Sequence, residues 1–422
     1  MLIKRRHMLA AAGGLAVTPL FSKGLAAEEA GGGDIIVVAI LLNGGNDGLN
    51  TVVPLPQYSE YYKLRTPAPP PPGLNMAYAE SDLALLAFDP NYKTPPLEAT
   101  QFAFAPSMLA MRDLYTTGML AVIPGVGLPK AEQNPFSHYN AQMDWLTGQI
   151  NIGLTPPDGW LGLTVDGMKG GKLGVSASLG GTSQILIGTQ QQGLVINPPM
   201  DYFGASYGIA DNGKQIEKTY QTIAALPAAS GTGEADRDVL KSALHDIVTV
   251  KEVAKKEKAK TYPLDSWLDY QLRDIGRLIT GGTNIRAYFA QLGGFDTHYQ
   301  QMLYQPTVLS QLSQSLVNFY EYLSAANASH KVVVVTISDF GRRPYANLDF
   351  GTDHGGAGVS FVFGEQVNGG VYGAYPSLKK FDDYGNLAIN VDFRNVLSDL
   401  IQAMGGNPTP ILGQTWPKLG FI

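Results

Sequence analysis

Cysteine is absent from all 422 residues of the chain. An exported protein that depends on disulfide bonds carries an even set of cysteines, so this chain must depend on a buried core for its stability. It is long enough to bury such a core. The absence also fits a protein that folds in a reducing compartment before it is exported.

Basic residues do not outnumber acidic ones, with 30 Lys and Arg against 36 Asp and Glu. Long apolar runs are missing as well. The formal net charge is −6, which argues against a nucleic-acid partner. After the N-terminal segment no apolar run is long enough to span a bilayer, so we expect no membrane span in the mature chain. Histidine is scarce, with six residues in the whole chain.

The N-terminal segment has the order of a signal peptide. Arg5 and Arg6 lie in a basic stretch, a mildly apolar stretch follows, and small residues end it near position 27. We therefore expect a signal peptide over residues 1–27, too short for a membrane span. The paired arginines resemble the twin-arginine signal, although Met8 stands where Phe is usual. We expect the twin-arginine translocase to export the folded chain to the periplasm or beyond; an ordinary secretory signal is the alternative.

The rest of the chain alternates between two kinds of apolar pattern. Short apolar runs flanked by turn residues predict buried strands at 35–42, 120–123, 285–292, 331–337 and 359–363. Amphipathic patterns predict helices at 107–114, 234–258, 266–278, 308–323 and 395–404. This alternation predicts an α/β fold, a mostly parallel sheet with helices on both faces.

We expect one domain over residues 34–422. Its glycine-rich middle, around residues 151–212, is interpreted as an insertion or a small β-rich cap. The proline-rich segment at residues 66–73 is expected to form a surface loop.

Acidic residues follow three of the predicted strands. Asp47 follows the strand at 35–42, Asp296 the strand at 285–292 and Asp339 the strand at 331–337. In open α/β sheets ligands bind at the carboxyl ends of the strands, so these carboxylates converge if the strands are parallel. Convergent carboxylates repel one another unless a cation lies between them. His298 and His354 lie near these carboxylates, which favours zinc or manganese over calcium.

Each of these residues also has an ordinary structural interpretation. An aspartate after a buried strand is often a turn former or a helix N-cap, and this alternative stays open for Asp47. Ser137 stands where a helix N-cap is expected. Arg342 has donors that suit a substrate oxygen, but it equally suits a salt bridge with a neighbouring carboxylate. His245 and His330 are interpreted as surface or core histidines.

Six short segments resemble, in order, the pattern of a family of exported bacterial proteins called domain of unknown function 1501. They are GGNDGLN at 44–50, SH at 137–138, GWLG at 159–162, GGFDTH at 293–298, SDFGR at 338–342 and GTDHG at 351–355. The resemblance covers nearly the whole mature chain. It implies a fold like that of alkaline phosphatases and sulfatases, in which aspartates and histidines at strand ends hold one or two metal ions.

The resemblance also implies roles for individual residues. Ser137 matches the nucleophile that opens a helix, and the implied metal ligands are Asp47, Asp296, His298, Asp339 and His354. Two departures stand out: Phe340 lies where phosphatases have a histidine, and the Asp296–His298 spacing is shorter than usual. One of the two metal positions is therefore expected to be weak or absent.

Two functions are compatible with these residues. In the first, the protein is a metal-dependent hydrolase of an anionic phosphate or sulfate ester, with Ser137 or a water as nucleophile and Arg342 on a substrate oxygen. In the second, it is a non-catalytic exported binding or assembly protein on the same fold. Its 21 tyrosines would suit contacts with a polysaccharide or a protein.

Overall fold

The structure is a computed structural model, and it describes most of the chain after residue 33. The described residues are 34–66, 75–84, 87–88, 102–129, 136–150, 152, 155–181, 183–190, 192–202, 218–219, 222, 225, 232–256 and 262–422. The expected signal peptide at 1–27 lies outside them. Residues 67–73 of the proline-rich segment and residues 203–212 of the glycine-rich middle also lie outside.

Fourteen strands are described. They are β1 Ile36–Leu42, β2 Val52–Pro54, β3 Ala87–Phe88, β4 Phe102–Phe104, β5 Leu120–Gly127, β6 Ser176–Ser178, β7 Leu194–Val195, β8 Ala287–Leu292, β9 Val332–Ser338, β10 Gly341–Arg342, β11 His354–Gly355, β12 Gly358–Phe363, β13 Gly370–Val371 and β14 Val391–Asp392. Nine of them form one sheet in the order β13-β5-β12-β9-β1-β8-β6-β7, with β14 also beside β5. Two small sheets, β2-β4-β3 and β10-β11, accompany it.

The α-helices of the described residues flank this sheet. They are α1 Tyr58–Arg65, α2 Glu80–Ala84, α3 Leu109–Thr116, α4 His138–Thr147, α5 Trp160–Val165, α6 Thr232–Lys256, α7 Trp267–Thr280, α8 Gln301–Ala325, α9 Phe393–Ala403 and α10 Pro408–Leu412. All five strands and all five helices predicted above are present, with shifted ends.

The large sheet is mostly parallel. β1 pairs in parallel with both β8 and β9, whereas β12 runs antiparallel to β5 and β9. All seven residues of β1 are buried, as expected for a strand covered on both faces. The predicted α/β class is confirmed by this topology.

Helices cover both faces of the sheet. Alternate residues of β1 enter two separate cores, with Val38 and Ile40 in one and Val37 and Ala39 in the other. The first core also contains buried residues of α3, α6, α7 and α8, and the second contains those of α4, α5, α9 and α10. The period of two along β1 thus divides the helices into two layers.

The glycine-rich middle extends the main sheet instead of forming a separate cap in its described part. β6 pairs in parallel with β8, and β7 pairs in parallel with β6 at the outer edge. None of the helices that the structure describes is both long enough and apolar enough to cross a membrane.

The topology directs several chain segments to one edge of the sheet. β1, β8 and β9 are parallel, so their carboxyl ends share that edge. Because β12 is antiparallel to both β9 and β5, the carboxyl end of β5 and the start of β12 lie there as well. The candidate site is built at this edge, as open α/β sheets favour.

Candidate metal centre

Four side chains converge at this edge, and we call them the histidine–aspartate group: His138, Asp296, His298 and His354. One ligand atom from each of His138, Asp296 and His354 lies within 4.8 Å of the others. His298 Nε2 lies 2.8 Å from His354 Nε2 and 3.1 Å from Asp296 Oδ1. Among the described residues this is where histidine and carboxylate atoms gather closely enough to hold a metal ion.

The four members come from three parts of the chain. Asp296 and His298 follow β8, and His138 is the first residue of α4, which comes after β5. His354 lies in β11, where it pairs with Arg342 of β10 shortly before β12 begins. The group is therefore assembled by the sheet from residues far apart in sequence.

The turn after β1 fits closely against this group, which explains its two glycines. Gly44 has φ +119°, and a Cβ there would lie 2.3 Å from the backbone nitrogen of Asp296. Gly45 has φ +82°, and a Cβ there would lie 2.5 Å from the ring of Phe340. Only glycine combines these positive φ angles with such close approach.

Hydrogen bonds fix the tautomers of two histidines. His354 Nδ1 donates to the carbonyl oxygen of Phe136 at 2.7 Å, and a carbonyl oxygen can only accept. His138 Nδ1 lies 2.6 Å from the buried carboxylate Oδ2 of Asp339. In the neutral form of each imidazole, Nε2 is then the atom that presents a lone pair to the group, as in histidine ligands oriented by an outer partner.

His298 follows the same arrangement with a longer bond. Its Nδ1 lies 3.3 Å from Asp353 Oδ1, so its Nε2 also faces the group. Its Nε2 and that of His354 are only 2.8 Å apart. Two lone pairs at that distance repel each other unless a proton or a cation lies between them. Three imidazole nitrogens and one carboxylate form a donor set that fits a divalent transition metal.

Charge around the group keeps the donors in their ligand forms. Burial would raise the pKa of Asp296, but the hydrogen bond and the charge of Arg342 outweigh it and lower that pKa. Burial lowers the pKa of His354, and the positive charge of Arg342 lowers it further. Asp296 is therefore an anion and His354 is neutral near neutral pH, the states in which both can bind a metal.

Arg342 is bonded to neighbouring protein groups. Its side chain is fully buried, and its 2.6 Å bond to Asp296 Oδ1 is one of several. The remaining acceptors are carbonyl oxygens of Gly44, Gly45, Phe295 and Thr352. All three guanidinium nitrogens are engaged, so Arg342 holds the loops and Asp296 in place. This geometry fits the salt-bridge alternative left open for Arg342, and the catalytic role stays a prediction.

Asp47 is placed as its alternative interpretation describes, as a turn former and N-cap. It is fully buried, and its carboxylate accepts two bonds from Arg65, at 2.6 and 2.7 Å. It also accepts bonds from the backbone nitrogens of Leu49 and Asn50 and from Gln301 Nε2. With its oxygens occupied in this way, Asp47 caps a short 3-10 helix and forms a buried ion pair. These contacts are those of the N-cap interpretation that the sequence left open for Asp47.

Asp339 contacts the group through His138. Its Oδ2 also accepts from the Gly44 nitrogen at 3.2 Å and from Gln142 Nε2 at 3.1 Å. Its Oδ1 is buried and has no hydrogen-bond partner in the described part of the chain. The geometry therefore makes Asp339 an outer partner that orients a ligand.

Phe340 fills the space next to Asp339. Its ring centroid lies 4.3 Å from that of His354 and 5.0 Å from that of His138. Phe340 thus places an apolar ring against two imidazoles, and this ring supplies no atom that could bind a metal ion.

Ser137 is the N-cap of α4, and its Oγ accepts from the Asn140 nitrogen at 3.5 Å. It is partly buried. Its neighbours Phe136 and His138 both belong to the surroundings of the group, so Ser137 lies beside it. The cap alternative and the nucleophile alternative share this geometry.

The sequence pointed to Asp296, His298 and His354, and the structure brings these three together. The sequence did not predict His138 as a donor, because the neighbouring Ser137 matched the expected nucleophile. Nor did the sequence indicate that Asp353 is the partner of His298. The available signal for His138 was its position at the start of a helix that follows a strand ending at the same edge.

The family described as "Protein of unknown function (DUF1501)" matches residues 251–414. That span contains Asp296, His298, Asp339 and His354, and the match confirms the resemblance over it. No curated protein matches the sequence.

Three solved structures illustrate the similarity of fold. Ps i-CgsB in complex with k-i-k-neocarrahexaose is 11% identical with a TM-score of 0.37, over 89% of this chain and 75% of that one. PsFucS1 sulfatase from Pseudoalteromonas sp. is 10% identical with a TM-score of 0.38, over 89% and 68%. Alkaline phosphatase from the Antarctic bacterium TAB5 is 9% identical with a TM-score of 0.27, over 91% and 99%. No residue role in this chain rests on these similarities.

Proposed function

We propose that this protein is an exported, metal-dependent hydrolase of phosphate or sulfate esters. One observation carries the proposal: ligand atoms of His138, Asp296 and His354 lie within 4.8 Å of one another beside the start of α4, and His298 Nε2 adjoins His354 and Asp296. Each imidazole has an outer hydrogen-bond acceptor on its other nitrogen. Histidines with one nitrogen toward a shared site and the other bonded to an acceptor are typical of metal ligands. A structural histidine does not need both features.

The ion would be held by His138, Asp296, His298 and His354. Imidazole-rich donor sets favour zinc or manganese over calcium, and one ion is expected because Phe340 closes the adjoining space. When bound, the ion would supply Lewis acidity toward an ester oxygen and toward the attacking hydroxyl or water.

The chain itself contributes the nucleophile and an anion-binding helix end. Ser137 Oγ would attack the phosphorus or sulfur atom as the bond to the leaving alcohol oxygen breaks, and the proton of the serine hydroxyl would pass through solvent to that oxygen. Water would then hydrolyse the serine ester and release phosphate or sulfate. The N-terminus of α4, a helix of ten residues, offers free backbone N–H groups and a positive dipole end to the ester oxygens. Arg342 takes part indirectly, because it orients Asp296.

The proposal is tested with zinc- or manganese-loaded protein and a panel of aryl phosphates and sulfates. Ser137→Ala should lower turnover by about 10³-fold or more, while metal binding remains. As a lost cap alone, the same change should lower stability by about 1 kcal/mol and leave turnover intact. Ser266→Ala is the matched control, because Ser266 caps α7 and lies outside the group. No turnover by the loaded wild type, or equal rates in Ser137→Ala, would contradict the proposal.

The second candidate is a non-catalytic exported binding protein. It is favoured by Arg342, the residue expected to neutralise a substrate oxygen, because all its nitrogens are engaged by the protein. Metal binding without turnover across the whole ester panel would select this candidate.

Export through the twin-arginine route is part of the proposal and has its own test. Replacing Arg5 and Arg6 with Lys should stop accumulation of the protein outside the cytoplasm, because the route reads the arginine pair. Unchanged accumulation in a fractionated culture would instead indicate an ordinary secretory signal.

A further inference from the structure

A cavity opens directly beside the histidine–aspartate group. Its volume is about 570 Å³, and Asp296 and His298 form part of its wall. The rest of the wall comes from the loop after β8 and from the first turns of α8. Cavities of this size commonly hold small organic ligands.

The wall presents aromatic rings that have little other contact. Tyr299, Leu303 and Tyr304 line the cavity and are 56%, 58% and 53% exposed. Large apolar side chains with such exposure on one short segment, next to a group of metal donors, suit a ligand surface more than a core. Tyrosine also combines a flat apolar ring with a hydroxyl that can form hydrogen bonds.

The polar groups of the wall are uncharged beyond the metal donors. Thr307 and Gln311 line the cavity on α8, and among the described residues neither side chain has a hydrogen-bond partner. Apart from Asp296 and His298, the wall residues are glycine, threonine, tyrosine, leucine, valine and glutamine. The wall therefore suits a ligand that is neutral, ring-shaped and rich in hydroxyl groups.

We propose that this cavity binds a neutral sugar residue, the one that carries the ester. This inference rests on the proposed function, since it names the alcohol part of the substrate. The apolar face of the sugar ring packs on Tyr304, and its hydroxyls bond with Gln311 and Thr307. The ester group then lies over Asp296 and His298, which the cavity shares with the metal donors.

The test is saturation-transfer NMR with methyl glycosides of glucose, galactose and fucose, and with phenol as a ring without a sugar's hydroxyl pattern. We expect at least one glycoside to bind. Tyr304→Ala should weaken that binding up to about tenfold through loss of ring packing, and Gln311→Leu should weaken it through loss of the amide. Tyr384→Ala is the matched control, because Tyr384 is 74% exposed and does not line the cavity.

Two outcomes overturn the inference: no glycoside binds the wild type, or binding is equal in Tyr304→Ala and Tyr384→Ala. Binding of phenol alone would also overturn it, in favour of an aryl ligand. His354→Ala separates this inference from the proposed function, because it should remove metal binding and keep glycoside binding. Glycoside binding without ester turnover would contradict the hydrolase, and turnover without glycoside binding would contradict the sugar site.

Discussion

The ion pair between Arg65 and Asp47 shows how one distant residue sets the role of a carboxylate. Both side chains are fully buried, and the two bonds between them are short. Arg65→Met should remove about 3–5 kcal/mol from the free energy of unfolding, because the Asp47 charge is then buried without its partner. Urea denaturation measures this loss.

Lys379→Met is the control for this change. Lys379 pairs with Glu60 at 2.9 Å, but it is 71% exposed, so its loss should change stability little. If Arg65→Met leaves stability unchanged, the ion pair with Arg65 is not what compensates the buried charge of Asp47.

Asp339 acts through the orientation of His138. Asp339→Asn keeps the volume but offers an N–H group to His138 Nδ1, which favours the tautomer whose Nε2 carries the proton. We expect metal affinity to fall by about 10–100-fold, the usual effect of losing an outer partner. The fold should remain, as circular dichroism would show.

Asp353→Asn provides the comparison for Asp339. Asp353 is 55% exposed and its bond to His298 is 3.3 Å long, so solvent can replace it and the loss of affinity should be smaller. Equal losses in the two variants would contradict the special role of the buried carboxylate.

Residue roles were only partly predictable from the sequence. Asp47 and Asp296 both follow a strand in a glycine-rich turn, and nothing local separates them. Asp47 forms an ion pair with Arg65 of α1, whereas Asp296 lies near His298 of its own loop and near His138 and His354 from other elements. Partners that arrive from elsewhere in the fold decide such roles, and a single sequence does not place them.

At the scale of elements, strands and helices were predictable because apolar period decides them. Helix ends were less so. α8 begins at Gln301, seven residues before the predicted start at 308. Its first turns bury polar Gln301 and Gln305, which bond to Asp47 and to each other. Because these buried positions are polar, the first turns of α8 lack the apolar period from which a helix is predicted.

The turn between β1 and the group leaves no room for an added methyl group at Gly44. Gly44→Ala should lower both stability and metal affinity, because its Cβ would meet the backbone of Asp296 and displace a ligand loop. Gly181→Ala is the control: Gly181 has φ +92° with nothing near its Cβ position, so only backbone strain of about 1–2 kcal/mol is expected. Thermal unfolding with and without metal measures both effects. Equal behaviour of the two variants would contradict the close fit of this turn.

At the scale of the whole molecule, one buried acid makes stability depend on pH. Burial raises the pKa of Asp144 to about 7, although the charge of Arg394 partly offsets this. The unfolded chain ionises this group near pH 4, about three units lower. Between these values the folded state holds the extra proton, so its contribution to stability falls as pH rises from about 4 to about 7.

Asp144→Asn removes this titration. The free energy of unfolding of Asp144→Asn, relative to that of the wild type, should therefore be higher at about pH 8 than at about pH 5. Urea denaturation at the two pH values measures the difference. The same pH slope in both proteins would show that Asp144 is ionised in the folded state.

The proposed metal ion would link the whole fold to the four donors, because an ion that binds only the folded state stabilises it. The most direct measurement is calorimetric titration of zinc into chelator-treated protein. The account predicts saturable binding of about one ion per chain, weakened by about 100-fold or more in His138→Ala, since a direct ligand matters at least as much as an outer partner. No saturable binding, or binding that is unchanged in His138→Ala, would contradict it.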